Sequence, residues 1–157
     1  MTLLQTKYFG TMSYEDESVF DFPVGLPAFE EEKRFVFIEI AEHAPLVFLQ
    51  SLSQASLCFL ALPVSSVDPD YRLAVSVEDR AVLELPLERE PRPEDGMLAL
   101  ALVSLHDGFS ATANLMAPIV VNVRKRRAVQ AIRMDRRYSH QHPVRCLGVA
   151  PVCEGAC

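Results

Sequence analysis

The sequence has 157 residues, of which 50% are hydrophobic and 23% are charged, and this is typical of one soluble globular domain. The composition excludes an intrinsically disordered chain, a collagen, a coiled coil and a disulfide-dense miniprotein. Residues 1–50 carry a formal charge of −6, residues 51–100 carry −5, and residues 101–157 carry +5. This asymmetry predicts two surfaces suited to different partners, unless the two ends of the chain fold together and neutralise each other.

Short runs of β-branched, aromatic and aliphatic residues predict eight strands. They cover residues 4–9, 19–22, 34–40, 46–49, 57–62, 97–105, 118–123 and 128–132. Proline-centred turns are predicted at residues 22–25 and 68–71, and the proline-rich residues 85–95 are predicted to form an exposed loop. Ser76 is typical of a helix N-cap, so we expect one short helix from there to about Leu83.

Together these elements predict an all-β fold, a small barrel or sandwich of many short antiparallel strands with one short helix. Residues 1–143 are interpreted as a single β domain and residues 144–157 as a flexible tail that contains cysteines. The first ten residues lack the basic and apolar regions of a signal peptide. The uncharged residues 43–67 have a polar middle and Pro63, which favours two strands over a spanning helix. We therefore expect a cytoplasmic protein with no membrane contact.

The sequence shows no catalytic signature, and no enzyme activity, cofactor or small-molecule substrate is expected. Cys58 lies in an apolar run, where burial would raise the pKa of its thiol and disfavour a nucleophilic role. A metal site is the weaker interpretation of the tail, because its spacings match no known motif. Its potential ligands would be His140, His142, Cys146 and either Cys153 or Cys157.

A basic run follows the predicted strand at residues 118–123, and it comprises Arg124, Lys125, Arg126 and Arg127. Such a run could contact the phosphates of a nucleic acid. It could equally be the tip of a hairpin, where charges keep a sheet edge soluble. The acidic overall charge weakens steering toward nucleic acid, so direct nucleic-acid binding is not expected.

Two segments, residues 22–30 (FPVGLPAFE) and residues 111–122 (ATANLMAPIVVN), resemble the characteristic motifs of the FliW flagellar assembly factor family. The positions that carry the resemblance are Phe22, Pro23, Gly25, Leu26, Pro27, Phe29, Asn114, Ala117, Pro118 and Asn122. Ala28 and Ala128 depart from the pattern, since the family commonly has glycine at both positions. If those positions need a positive φ, alanine would be strained there.

The resemblance implies a regulator that works through protein partners in the cytoplasm. Members of the family bind CsrA, an RNA-binding protein that represses flagellin translation, and thereby relieve the repression. They also bind flagellin as a chaperone, so that accumulating flagellin releases CsrA in a partner-switching feedback. The alternative function is an RNA- or phosphate-contacting β-barrel module that uses the basic run.

An acidic face could steer this domain toward the basic surface that an RNA-binding protein carries. The candidate residues for partner binding are Glu30, Glu31, Glu32 and Asp70, with Leu26, Phe29 and Tyr71 as apolar anchors. Leu26 and Phe29 could instead close one end of the barrel. Asn114 and Asn122 are expected to tie loops and strand ends rather than meet a partner. The sequence leaves open which residues contact which partner, whether the two sites overlap, and the oligomeric state.

Overall fold

The computed structural model describes residues 1–106 and 110–144, and this part of the chain contains eleven strands and two α-helices. The strands are β1 (Thr2–Thr6), β2 (Gly10–Tyr14), β3 (Val19–Asp21), β4 (Arg34–Glu39), β5 (Val47–Ser51), β6 (Cys58–Pro63), β7 (Met97–Leu105), β8 (Ala111–Ala113), β9 (Ile119–Asn122), β10 (Arg127–Gln130) and β11 (His142–Pro143). The helices are α1 (Val64–Val67) and α2 (Val77–Leu83). Short 3-10 turns occur at Asp16–Ser18, Ala41–His43 and Pro93–Asp95.

Seven of these strands close into a barrel in the order β7, β6, β5, β4, β3, β10, β9 and back to β7. Strand β7 can close the ring because it is nine residues long. It pairs first with β9, then with β6, and finally with β8. The expected all-β fold is therefore a barrel. One departure from the antiparallel pattern is the parallel pair formed by β3 and β10 at Asp21 and Arg127.

The barrel encloses a core in which inward-facing aliphatic and aromatic side chains alternate with outward-facing ones along the strands. Phe22, Phe35, Leu49, Leu100 and Ile119 each have 0% of their surface exposed. The β1–β2 hairpin lies outside the barrel. It packs against it through the edge-to-face contact of the Phe9 and Phe48 rings, whose centroids are 5.3 Å apart.

The predicted helix is confirmed as α2, where Ser76 Oγ accepts a hydrogen bond from the Asp79 backbone N at 3.1 Å. The predicted turn at residues 22–25 is also confirmed, since Gly25 N donates to Phe22 O at 2.8 Å. The expectation of a single helix is wrong, because α1 forms as well. Residues 85–95 are not uniformly exposed, because Leu85 packs into the core at 5% exposure. Among the helices described in residues 1–106 and 110–144, none is long and apolar enough to cross a membrane.

Candidate partner-binding surface

The first motif forms a compact loop, residues 22–33, at the end of the barrel where β3 leads into β4. Three successive turns build it, closed by hydrogen bonds from Gly25 N to Phe22 O, from Phe29 N to Leu26 O (2.8 Å), and from Glu32 N to Phe29 O (3.0 Å). Phe22 N also donates to Lys33 O at 2.7 Å, which joins the two ends of the loop. This motif loop is therefore held by its own backbone.

Two residues of the motif loop adopt positive φ angles, Gly25 at +69° and Ala28 at +71°. Glycine tolerates this conformation, whereas an alanine there costs about 1–2 kcal/mol. The expected strain at Ala28 is therefore present. Ala128 differs, because it lies fully buried in β10 opposite Val121 and has no positive φ.

The two proposed apolar anchors of the motif loop face inward rather than outward. Leu26 is only 2% exposed, so the expectation that it anchors a partner is wrong and it packs in the barrel core instead. Phe29 is partly buried against the same core, and its ring meets the Phe59 ring edge-to-face at 5.5 Å. Both side chains close this end of the barrel, as the alternative interpretation expected.

The surface that the motif loop presents to solvent combines an apolar side chain with carboxylates. Val24 is 56% exposed, and Glu30 and Glu31 are exposed beside it in the loop. Glu32 differs because its carboxylate accepts hydrogen bonds from the hydroxyls of Ser51 and Ser53. The sequence interpretation missed Val24, whose place in the turn at residues 22–25 was the signal available, because turns commonly lie on the surface.

Asp70 and Tyr71 are not part of this surface. They lie at the end of the β9–β10 hairpin that is away from its turn. There the Tyr71 hydroxyl donates to Leu115 O at 2.7 Å, in the segment that leads into β9. The Tyr71 ring packs against Tyr138 with centroids 4.4 Å apart, and burial raises the pKa of the Tyr71 phenol. Tyr71 is therefore a packing residue rather than an exposed anchor, and the role of the exposed Asp70 in steering a partner stays a prediction.

The second motif positions the backbone, as expected for its two asparagines. Asn114 Oδ1 accepts hydrogen bonds from the backbone N of Met116 (3.1 Å) and of Ala117 (3.0 Å), which fixes the turn before Pro118. Asn122 Nδ2 donates to Leu83 O at 2.8 Å and so ties the end of β9 to α2. These contacts confirm the structural role predicted for both residues.

The basic run forms the β9–β10 turn, and three of its four cations are bonded to neighbouring segments. Arg124 donates to Glu94 O at 3.2 Å, and Arg126 donates to Asp16 O at 2.6 Å. Arg127 donates to Val82 O at 3.0 Å and pairs with the Glu84 carboxylate at 3.2 Å. Lys125 lies exposed at the tip. The run thus fastens neighbouring segments to the β9–β10 turn mainly through their backbone carbonyls, and among these contacts the Arg127–Glu84 pair joins opposite charges.

Cys58 is half-buried, and burial raises the pKa of its thiol to about 11, which confirms that the thiolate is disfavoured. Within residues 1–106 and 110–144, no group of three His, Cys, Asp or Glu side chains is placed to hold a metal ion. The proposed tail ligands Cys146, Cys153 and Cys157 lie outside the described residues, as does almost all of the predicted flexible tail. The metal site and the flexibility of the tail therefore stay predictions.

Comparisons with known proteins match nearly the whole chain. The model of the FliW protein family matches residues 3–144. The flagellar assembly factor FliW of Shouchella clausii is 34% identical over 146 residues, which cover 92% of this chain and 96% of that protein. The factor of the same name from Bacillus subtilis is 29% identical, covering 90% and 96%. A crystal structure of the flagellar assembly factor FliW matches with a TM-score of 0.77 and 29% identity, covering 90% of this chain and 96% of that one.

Proposed function

Because this chain belongs to the FliW family of flagellar assembly factors, we propose that it binds a CsrA-type RNA-binding regulator through the exposed end of its motif loop. The observation that carries this proposal is the combination of exposed Val24 with the exposed carboxylates of Glu30 and Glu31. An RNA-binding protein presents basic surface, so these carboxylates would accelerate the encounter. Val24 supplies an apolar contact, which affinity requires in addition to charge.

A rigid loop suits this role because binding then orders few residues. The backbone bonds from Gly25 N to Phe22 O and from Phe22 N to Lys33 O hold the loop in shape. Glu32 also fastens it to the β5–β6 turn through Ser51 and Ser53. A preformed surface loses little conformational entropy on association, so more of the contact energy appears as affinity.

Flagellin is the second proposed partner, in the cytoplasm, and binding it as a chaperone would release the regulator. This exchange would link flagellin translation to the amount of unassembled flagellin. The alternative function, direct contact with RNA through Arg124–Arg127, is less favoured. Three of those four side chains already donate hydrogen bonds to backbone carbonyls of neighbouring segments, and Arg127 also pairs with Glu84, so fewer of their N–H donors are available to phosphates.

Charge reversal at Glu31 should slow association with the CsrA-type regulator. The variant Glu31→Lys removes an exposed carboxylate and adds a cation, so the association rate at low salt should fall about threefold or more. Its dependence on salt should also become flatter. Stopped-flow or surface-plasmon-resonance kinetics at several salt concentrations measure both effects.

The matched control is Glu42→Lys, which makes the same change of charge at an exposed site after the far end of β4. Its association rate should stay close to that of the wild type. Equal rates for Glu31→Lys and the wild type would remove the motif loop from the encounter. Equal slowing by both variants would show that net charge alone is responsible.

A further inference from the structure

The segment that follows β10, residues 131–134, has an inverted pattern of burial. Ala131 and Arg133 face inward at 1% and 5% exposure, whereas Ile132 and Met134 face solvent at 54% and 95%. The segment is held against the second motif, because Ala131 N donates to Pro118 O at 2.8 Å and Arg133 N donates to Met116 O at 2.9 Å. A buried guanidinium beneath exposed large apolar side chains is unusual in a soluble protein and needs a reason.

The exposed apolar side chains border a groove. It has a volume of about 280 Å³ and lies between residues 74–76 on one side and residues 132–135 on the other. Two further exposed apolar residues belong to the same region, Val77 at 52% and Leu87 at 48%. Val77 follows the groove wall in sequence, and Leu87 is tied to it by Arg80, which donates to both Val75 O and Leu87 O. Clustered exposed apolar groups mark an interaction surface.

The two ion pairs at the groove are balanced in charge, but their carboxylates are more exposed than their arginines. Arg80 pairs with Glu90 at 2.8 Å, and Arg133 pairs with Asp135 at 2.9 Å. The arginine side chains are only 11% and 3% exposed, whereas both carboxylate side chains are 49% exposed. Arg136 and Arg137 come next in the chain but do not line the groove. The charges that a partner would meet in the groove are therefore carboxylates.

The wall of the groove is rigid. The Arg133 guanidinium lies over the rings of Tyr138 (4.8 Å) and Tyr71 (5.5 Å). It also donates to Arg72 O at 2.6 Å, and the Tyr138 hydroxyl accepts from Arg72 N at 2.9 Å. These contacts fix residues 132–135 to the segment on the other side of the groove, so the site is preformed.

We propose that this groove is a docking site for a protein segment that carries aliphatic side chains flanked by lysine or arginine. The aliphatic side chains would pack between Ile132 and Met134, and the flanking cations would meet Glu90 and Asp135. The groove shares no residue with the motif loop, so the proposal goes beyond the function proposed above. It is independent of which partner occupies that loop.

Backbone amide NMR of the full chain, titrated with three synthetic peptides, tests this proposal. The first peptide alternates leucine with lysine, the second has serine in place of leucine, and the third has glutamate in place of lysine. The first should shift the signals of residues 74–76 and 132–135 in a saturable way, and the other two should bind at least about fivefold more weakly. Equal binding of all three peptides, or shifts confined to other faces, would overturn the proposal.

A pair of surface variants completes the test. Met134→Ser should weaken the leucine–lysine peptide at least about fivefold, because it removes an apolar contact from the rim of the groove without changing the charge. The substitution should not unfold the protein, since Met134 is 95% exposed. The control Leu3→Ser makes a similar change at a side chain that is 70% exposed on the β1–β2 hairpin, and it should leave binding unchanged. Unchanged binding by Met134→Ser would equally overturn the proposal.

Discussion

Replacing Gly25 by alanine should lower the free energy of unfolding by at least about 2 kcal/mol. Two effects add at this position. Gly25 has a φ of +69°, which is unfavourable for any residue with a Cβ atom. A Cβ built there would also lie 2.6 Å from both the Cα and the carbonyl O of Glu30, and these backbone atoms can yield only if the motif loop opens. The midpoint of urea unfolding, followed by circular dichroism, measures the loss.

Gly10→Ala is the matched control for this prediction. Gly10 has a similar φ of +63°, but no atom lies within 4 Å of the position its Cβ would take. The Gly10→Ala variant should therefore lower the free energy of unfolding only through the unfavourable backbone conformation, by about 1 kcal/mol. If Gly25→Ala cost no more than Gly10→Ala, the close approach of Glu30 would not constrain the loop.

Replacing Arg133 by alanine should lower the free energy of unfolding by about 2–3 kcal/mol. The substitution removes the bidentate pair with Asp135, the hydrogen bond to Arg72 O, and the contacts with two tyrosine rings. It leaves the Arg72 carbonyl without that donor. Urea unfolding of the variant against the wild type measures the effect.

The pH dependence of the stability lost in Arg133→Ala shows how much of that loss comes from the ion pair with Asp135. Arg133 holds the pKa of the Asp135 carboxyl below its usual range, mainly through their hydrogen bonds. A lowered pKa contributes stability that is present above the ordinary Asp value of about 4 and is lost as the pH falls below it. The difference in the free energy of unfolding between wild type and Arg133→Ala should therefore narrow in acid.

The control Arg136→Ala removes an exposed arginine and should change stability by less than about 0.5 kcal/mol. A similar loss in both variants would contradict a structural role for the buried guanidinium.

The barrel strands could be predicted because each carries enough aliphatic or aromatic residues to show its buried face. Strands β4, β6 and β7 appear within one or two residues of their expected limits. Strand β2 was missed because its sequence, GTMSY, is largely polar and is stabilised by pairing with β1. Strands β8 and β11 are three and two residues long, which is too short for a periodic pattern. Barrel closure itself depends on pairings between distant segments, such as β7 with β9.

The candidate site was harder to predict because composition does not report orientation. Leu26 and Val24 lie two positions apart in the motif loop, yet one is 2% and the other 56% exposed. Tyr71 was proposed as an anchor beside Asp70, but its ring packs against Tyr138 and its hydroxyl donates to Leu115 O. The inverted segment at residues 131–134 could not be found from hydropathy, since its arginine is buried and its two large apolar residues are exposed.

The most direct test of the proposed partner exchange is a competition measurement with purified proteins. The full chain is bound to the CsrA-type regulator, and flagellin monomer is then added in increasing amounts. The proposed function predicts that each partner binds alone and that flagellin displaces the regulator. Binding of neither partner, together with salt-sensitive retention of RNA, would contradict it and assign the function to the basic β9–β10 turn. Simultaneous binding of both partners without displacement would contradict the exchange.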